Sequence, residues 1–544
     1  MTKKERIAPQ PNSLDSEEFM SHNTLSGPDI APVAIDHTGD VVTDFVAAAH
    51  DLPGHAALVY NGSVITYGDL AARVRSTASR YRSIRPDAGG GSGRIGAVVS
   101  HTPAVVEHLF GILQAGVTYC PIDSALPGAR KHSLAAALGV DRVIIADLDG
   151  GGSDNRGFDV SDSPAVVEGD LSGPTWLPDD PAYVLCTSGS TGTPKPVAIS
   201  RHALTVTARA LRDLFELTPD DRVLQFASLG WDTCLEEMVP ALITGATVVF
   251  DDAAHIGSFR PFVRMLAEQA ITMIDLPTAY WHELVLYLHE EQIGLPGSLR
   301  LVVIGGERVD PTRLRQWREL PVGNVVLLNT YGCTETTMVT HAVRLSGPGA
   351  EPEVMALTSD APIGRPLPHV RDHITDDGEL LVSGPSLATG YLGMPEHTAS
   401  GFPVADHGTG PARWFRTGDL ASRSGTGPVF SRGRADDQLK VLGVRVHPAE
   451  VEAQLTTHPA VAGAVVVGEL LLGRMSLTAY VVPAAGTLPT PRELKRFLRE
   501  RLPSQFVPAR VYFVSGLEYT ASGKIDRSAT QRAALNGDLE GAER

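Results

Sequence analysis

Between about residue 41 and residue 430, short β-branched runs alternate with amphipathic stretches. Ile95–Val99, Arg142–Ala146, Thr247–Phe250, Leu301–Ile304 and Val325–Leu328 are the candidate parallel strands, and Ala182–Cys186 reads as another buried one. Thr102–Gln114 and Phe259–Gln269 carry the helical period of crossover connections, and Ile65–Leu70 is expected to open the first helix. Strand–helix alternation of this kind predicts α/β layers around a parallel sheet. From Asp376 to Phe430 turns and strands dominate. Beyond Gly433 the pattern becomes a small α+β unit with helices at Pro448–Leu455 and Pro491–Arg501. Residues 1–40 are polar and aperiodic and are expected to form a mobile extension. The glycine-rich patches at 88–93 and 149–153 are expected to be surface connectors. The fold expectation is therefore a large α/β domain over 41–432, built of layered subdomains with mainly parallel sheets. A small mobile α+β domain over 437–544 follows, with a hinge near Asp436.

Length supports that division, since 544 residues exceed what one hydrophobic core organises. A formal charge of −17 excludes a nucleic-acid footprint and disfavours an anionic membrane surface. No apolar run reaches the ~18 residues a bilayer span needs. The basic start Met1–Arg6 lacks the apolar stretch of a secretory signal. Cys120, Cys186, Cys234 and Cys333 lack metal-ligand spacing, so a reduced, cytoplasmic setting is expected.

The richest motif is Thr187-Ser188-Gly189-Ser190-Thr191-Gly192-Thr193-Pro194-Lys195, directly after the apolar strand Ala182–Cys186. Glycines bring backbone close to a ligand, and N–H groups and hydroxyls then point at anionic oxygens. This is a phosphate cradle without the Gly-Lys-Ser/Thr of a Walker A loop. Further motifs follow in order: Leu113–Asp123, Asn329–Thr337, Gly378-Glu379-Leu380 leading to Gly390-Tyr391-Leu392, Phe415–Asp419, Gly433–Lys440 and Gly523–Arg527.

This ordered set resembles the adenylate-forming enzymes and, more narrowly, the amino-acid adenylation domains of nonribosomal peptide synthesis, over roughly residues 45–530. The resemblance implies ATP and Mg²⁺ as cofactors and a reaction that joins a carboxylate to the α-phosphate with loss of pyrophosphate. Charge must then be neutralised on attacking and leaving oxygens alike. It assigns Thr187, Ser188, Gly189, Ser190, Thr191 and Gly192 to the phosphate cradle, with Lys195 as a mobile phosphate partner. Glu335 becomes the Mg²⁺ carboxylate, and Thr334 the α-phosphate contact. Tyr331 supplies a ring face for adenine beside Asn329, Thr330 and Gly332, and the turn Gly305-Gly306-Glu307 offers backbone to the base. Asp419 and Arg434 take the ribose hydroxyls. Lys524 bridges the substrate carboxylate and the phosphate, and Asp436 is the hinge between an adenylating and a thiolating arrangement. Lys524, Thr191, Glu335 and Asp436 thus form the implied catalytic set.

The same resemblance places Asp232 on the substrate's amino group. Thr233, Glu236, Asp275, Val303, Gly305, Thr330, Met338 and Val339 become the pocket lining, with Lys524 on the carboxylate. Three acids around one small site are costly to bury unless a dication answers them, so a diamino acid is expected. The lining resembles that of enzymes selecting β-lysine, with α-lysine and ornithine as alternatives. Departures from the family pattern are Pro196 where a glycine is common, Trp231 and Cys234 around Asp232, and Cys333 in place of a proline. With neither a carrier segment nor a condensation-type His-His motif in view, the acceptor is expected to be the phosphopantetheine thiol of a separate carrier protein. A CoA ligase of the same fold and a nucleotide-binding regulator with a lapsed site stand as competing readings.

Overall fold

The computed structural model describes residues 39–82, 93–140, 142–146, 176–188, 194–357, 360–436, 438–471, 474–519 and 525–537. The 1–38 stretch, most of both glycine-rich patches, the loop interior Gly189–Thr193 and the segment 520–524 with Lys524 lie outside the described residues.

The larger part of the chain folds around two sheets with parallel centres. In the nine-stranded sheet the order runs Arg365–Pro366, His341–Ser346, Val326–Tyr331, Leu301–Gly305, Met273–Pro277, Arg222–Leu224, Thr247–Phe250, Ala56–Tyr60 and Ser63–Thr66. Neighbours from Val326–Tyr331 through Ala56–Tyr60 pair in parallel, and the outer strands close the edges antiparallel. Strands such as Thr247–Phe250 are buried along their whole length, as expected where helices cover both faces. The six-stranded sheet places Arg94–Val99 between Thr118–Asp123 and Arg142–Ile145, all parallel. Its strand Pro181–Thr187 pairs antiparallel with Lys195–Ser200. The described ends of the hydroxyl motif, Thr187 and Lys195, are therefore register partners at the ends of two buried strands. Pro196 sits inside that second strand, opposite Cys186.

A helix over Val41–Asp51 precedes the one opened by Ile65–Leu70, so the latter (Tyr67–Tyr81) is the second helix rather than the first. Asp40 belongs to the fold. It caps that earlier helix and forms a buried ion pair with Arg201. Sequence periodicity missed the helix because its buried face is short: Val41, Val42, Phe45 and Ala49.

An antiparallel four-stranded sheet follows (Arg371–Ile374, Glu379–Ser383, Phe415–Arg423, Val429–Arg434). The chain then forms a hairpin, Leu439–Val441 with Val444–Val446. A three-stranded sheet (Val461–Leu471, Arg474–Pro483, Arg510–Phe513) is flanked by helices Pro448–Thr456, Pro491–Arg499 and Arg527–Asn536. This last unit has its own core, including Val446, Val451, Leu455, Val466, Leu494 and Leu498, against which Trp231 of the large part also packs. Arg130 on the helix Gly128–Leu138 reaches Glu450 at 2.6 Å, with side chains only 10% and 1% exposed. That buried pair seats the small unit against the large one. Losing one member leaves the other charge uncompensated.

Candidate active site

The carboxyl ends of the parallel strands Met273–Pro277, Leu301–Gly305 and Val326–Tyr331 open onto a cavity of about 630 Å³, the place where α/β sheets hold ligands. Asp232, Thr233, Glu236, Asp275, Gly305, Gly306, Thr330, Gly332, Thr334, Met338, Val339, Asp419 and Arg434 all line it, with Thr187 and Ser188 at the hairpin. Val303 does not line it. Pairing in register with Asp275 puts both side chains on one face of the sheet, but Val303 is fully buried and packs in the core cluster that includes Met338 and Val339.

Asp232 occupies the cap position of helix Thr233–Thr244, where an aspartate ordinarily accepts from the first turn, yet it makes no such bond. Its carboxylate accepts instead from the Met338 backbone N–H at 3.3 Å and from the Thr334 hydroxyl. Delivering that N–H takes a cramped loop. A Cβ on Gly332 would lie 1.7 Å from the Met338 carbonyl oxygen, and Thr337 and Met338 both sit in the left-handed region at φ 59° and 66°. Strain of this kind persists where a site requires it. Gly305 is required by contact as well, since a Cβ there would stand 2.7 Å from the Thr330 hydroxyl.

Glu236, one turn into the same helix, is buried and hydrogen-bonded to Asp275 from the neighbouring strand. Burial pushes Glu236 far above the usual carboxylate range, and Asp275, Asp232 and Glu237 push it further. Burial raises Asp275 too, while accepting from Glu236 moderates the rise. The two therefore share a proton in the empty cavity. Asp232 is raised to about 6 by burial, against the pull of its hydrogen bonds. Glu237, unremarked in the sequence, is fully buried and accepts from the N–H groups of Phe226 and Ala227 and from the Gln225 amide. It holds the turn that precedes Asp232.

At the nucleotide end the carboxylates have protein partners. Asp419 accepts from the Tyr331 hydroxyl at 2.6 Å and from Arg434 at 2.7 Å, and Arg434 also holds Asp436 at 2.6 Å. Burial alone would raise Asp436, but Arg434 holds it below the usual carboxylate range. Glu307 accepts from the Gly443 N–H at 2.5 Å, and the Asn329 amide donates to the Pro362 carbonyl at 2.8 Å. Neither side chain lines the cavity. Glu307 faces the small unit's hairpin and Asn329 fastens a loop. Glu335, 1% exposed, accepts from Arg445 at 2.9 Å and from the Tyr391 hydroxyl at 3.1 Å. Lys195 stands 5.7 Å from the Tyr391 ring, and burial lowers its pKa while Glu335 opposes that.

The hairpin Leu439–Val446 is the part sequence reasoning undervalued. Lys440 lies 5.7 Å from the Tyr331 ring, Gly443 packs on Gly306, Arg445 covers Glu335, and the Ser188 hydroxyl donates to the Arg445 carbonyl. The Gly443-Val444-Arg445 run, separated from Lys440 by two residues, is the available signal. Burial pushes the Cys333 thiol up to about 12, which disfavours the thiolate a nucleophile needs. Ser190, Thr191, Gly189, Gly192 and Lys524 lie outside the described residues.

Residues 45–392 match the AMP-binding enzyme model, and 450–524 match the AMP-binding enzyme C-terminal domain. The chain belongs to the AMP-binding enzyme family. It is 38% identical over 494 residues to an isonitrile lipopeptide synthase of Streptomyces coeruleorubidus, covering 89% of this chain and 33% of that protein. It is 33% identical over 517 residues to novobiocin biosynthesis protein H of Streptomyces niveus, covering 89% and 82%. The chain thus spans about a third of the first relative and most of the second. Among solved structures, an artificially fused adenylation–PCP di-domain NRPS from Klebsiella oxytoca, NpsA-ThdA, shares the fold at TM-score 0.74 and 22% identity, covering 92% and 96%. Among the described residues no helix is long and apolar enough to cross a membrane.

Proposed function

We propose that this family member activates a diamino acid, with β-lysine as the leading candidate, as its aminoacyl adenylate. It then passes the acyl group to the phosphopantetheine thiol of a separate carrier protein. One observation carries the substrate reading: Asp232, Glu236 and Asp275 converge in one buried space with no lysine or arginine of the protein bonded to them among the described residues. A substrate with two ammonium groups answers that charge, one group at Asp232 and the distal one between Glu236 and Asp275. A neutral side chain leaves it unanswered. The resemblance to nonribosomal enzymes supports an amino acid, and the kinship with antibiotic-type synthases supports such a pathway.

In the first step a substrate carboxylate oxygen attacks the α-phosphorus of ATP and pyrophosphate departs. Thr187, Ser188 and Thr334 supply donors along the phosphate path, and Asp419 with Arg434 orients the ribose. Lys524 is proposed to hold the reacting carboxylate against the phosphate. Glu335 suits Mg²⁺: it is a buried carboxylate beside the phosphate hairpin, and Arg445 stands on it as a cationic substitute. Magnesium bound there would neutralise phosphate charge. In the second step a thiolate attacks the acyl carbonyl and AMP leaves, with Asp436 as the hinge between the two arrangements.

The test is pyrophosphate exchange with β-lysine, α-lysine, ornithine, 2,4-diaminobutyrate, norleucine and β-alanine. A site built to bind a polar group rejects analogues lacking it by about 10⁴-fold or more, so the diamino acids should dominate. Equal exchange with norleucine would refute the diamino reading. Acylation of CoA in preference to every carrier would favour the acid–CoA ligase.

A further inference from the structure

In the helix Pro491–Arg499, Leu494 and Leu498 are fully buried against the small unit's core. On the other side Arg492, Lys495, Arg496 and Arg499 fall at i, i+3, i+4 and i+7, which is one continuous stripe. Arg492, Arg496 and Arg499 are exposed. Lys495 is half-buried, donating to the Ala509 carbonyl at 2.5 Å. The carboxylates of this segment do not answer the stripe. Glu493 turns back onto Thr490 in a capping box, and Glu500 meets Arg501 at 3.4 Å. Like charges at these spacings oppose the helix. Arg492 sits in the first turn, where the helix dipole prefers an acid. Arg496 and Arg499 lie in the last turn, where the dipole favours cations, but an exposed stripe of arginines unanswered by this segment's acids, in a chain of formal charge −17, points to an anionic partner outside the chain.

Its position says which partner. Arg499 ends the stripe on the wall of the cavity that leads to Asp232. That wall continues through Leu502, Ser504 and Phe506, facing Pro127 and Arg130 of the large part. Arg499 and Ser504 are exposed, so the cavity meets solvent here. Beside the stripe, Leu488 is 94% exposed and shares with Arg496 and Phe497 a groove whose lining also includes Glu493, tied back to Thr490, and Glu500, beside Arg501. Cations around an apolar point, next to the mouth of an acyl-transfer cavity, match an acidic carrier that seats its surface outside and sends its thiol in.

We propose that the Arg492–Arg496–Arg499 stripe, with Leu488, is the docking surface for an acidic carrier protein whose prosthetic thiol enters between the helices Gly128–Leu138 and Pro491–Arg499. This rests on the thiol-transfer reading above. The probe is a panel of acidic phosphopantetheinylated carrier proteins, from which the one loaded fastest by the wild-type enzyme is used. Arg492→Glu with Arg496→Glu should raise the KM for that carrier about 10-fold or more, the scale of electrostatic steering, and flatten its salt dependence. Pyrophosphate exchange and acyl transfer to free pantetheine should be unchanged. The neutral pair Arg492→Gln with Arg496→Gln should show a smaller rise of the same kind. Lysines replacing carrier acids should restore loading by the reversed enzyme. Equal carrier KM in wild type and reversed variant would overturn the surface and leave thiol transfer standing. Exchange without loading of any carrier by the wild type would overturn both. Stripe-dependent binding to a DNA duplex or anionic vesicles, with loading unaffected, would replace the carrier by that partner.

Discussion

The two ends of the cavity treat acids in opposite ways. At the nucleotide end Glu335 is covered by Arg445, Asp419 by Arg434 and Tyr331, and Asp436 by Arg434. At the other end Asp232, Glu236 and Asp275 have hydrogen bonds and a shared proton but no protein cation among the described residues. The answering groups also differ in origin. Arg445, Lys440 and the Gly443 N–H all come from the hairpin Leu439–Val446, which follows the proposed hinge. At the first end Glu335 is therefore answered from the hairpin of the small unit, and Asp419 and Asp436 from Arg434 of the large part, whereas the acids at the other end have no cation of the protein bonded to them among the described residues. A buried acid paired within the protein needs a conformational change before it can serve a ligand. One left unpaired needs only the ligand, and selects it by charge.

The sharpest break of this contrast is Asp232→Asn. An ammonium that loses its buried anionic partner costs about 3–5 kcal/mol. Pyrophosphate exchange with every amino acid should then fall about 10²–10⁴-fold in kcat/KM, while binding of an AMP analogue at the other end changes little. Retention of near wild-type exchange would remove Asp232 from the amine. Next in size is Arg445→Ala, which removes the cation covering Glu335. Carrier loading should fall about 10-fold or more, because the arrangement seen here loses a buried ion pair. Exchange should survive, and it should saturate at lower magnesium, since Glu335 would no longer be contested. Equal losses in both half-reactions would show that Arg445 is not specific to this arrangement.

The sequence exposed the satisfied end poorly and the unsatisfied end well. Asp232, Glu236 and Asp275 were legible because motif anchors fix their positions on a strand and a helix start, and the fold delivers both to one cavity. The parallel strands were legible for a similar reason: runs such as Thr247–Phe250 are apolar throughout, as a doubly covered sheet demands. Val303 misled because it shares a sheet face with its register partner Asp275, yet its side chain is covered by core neighbours rather than open to the cavity. The roles of Lys440, Gly443 and Arg445 depend on how one unit is set against another, and no local pattern encodes that. The helix Val41–Asp51 escaped because its apolar residues, Val46 included, do not confine themselves to the short buried face of Val41, Val42, Phe45 and Ala49, while its cap, Asp40, lay in a segment polar enough to read as a tail.

Proton linkage sharpens the comparison on a finer scale. Asp232 is held at about 6 by burial, and an ammonium binds its carboxylate form. As pH falls below 6 a proton must leave on binding, so KM should rise about tenfold per unit; above 6 this group contributes a flat line. Glu236 lies well higher and shares its proton with Asp275, so a distal ammonium must displace that proton too. For a diamino substrate KM should keep falling above pH 6, whereas for a monoamine of the same length it should level off. Parallel profiles for the two would mean that the distal pair does not meet the second amine.

The smallest effect concerns the empty protein. Asp232, Glu236 and Asp275 all have folded-state pKa values above their ordinary ones. Their protons are thus bound more tightly in the folded state, and any stability this lends is complete below about pH 4 and lost as pH climbs through the raised values. At pH 8 the empty cavity is at its most costly. Replacing one buried acid by its neutral isostere, Glu236→Gln, removes part of that cost, and such replacements range from neutral to about 4 kcal/mol stabilising. The variant should melt slightly above wild type at pH 8 and level with it at pH 5. A saturating diamino acid should reverse the order, because only the wild type gains the second ion pair. A variant that melts lower at both pH values, with no reversal by ligand, would mean that Glu236 supports the fold rather than awaiting a cation.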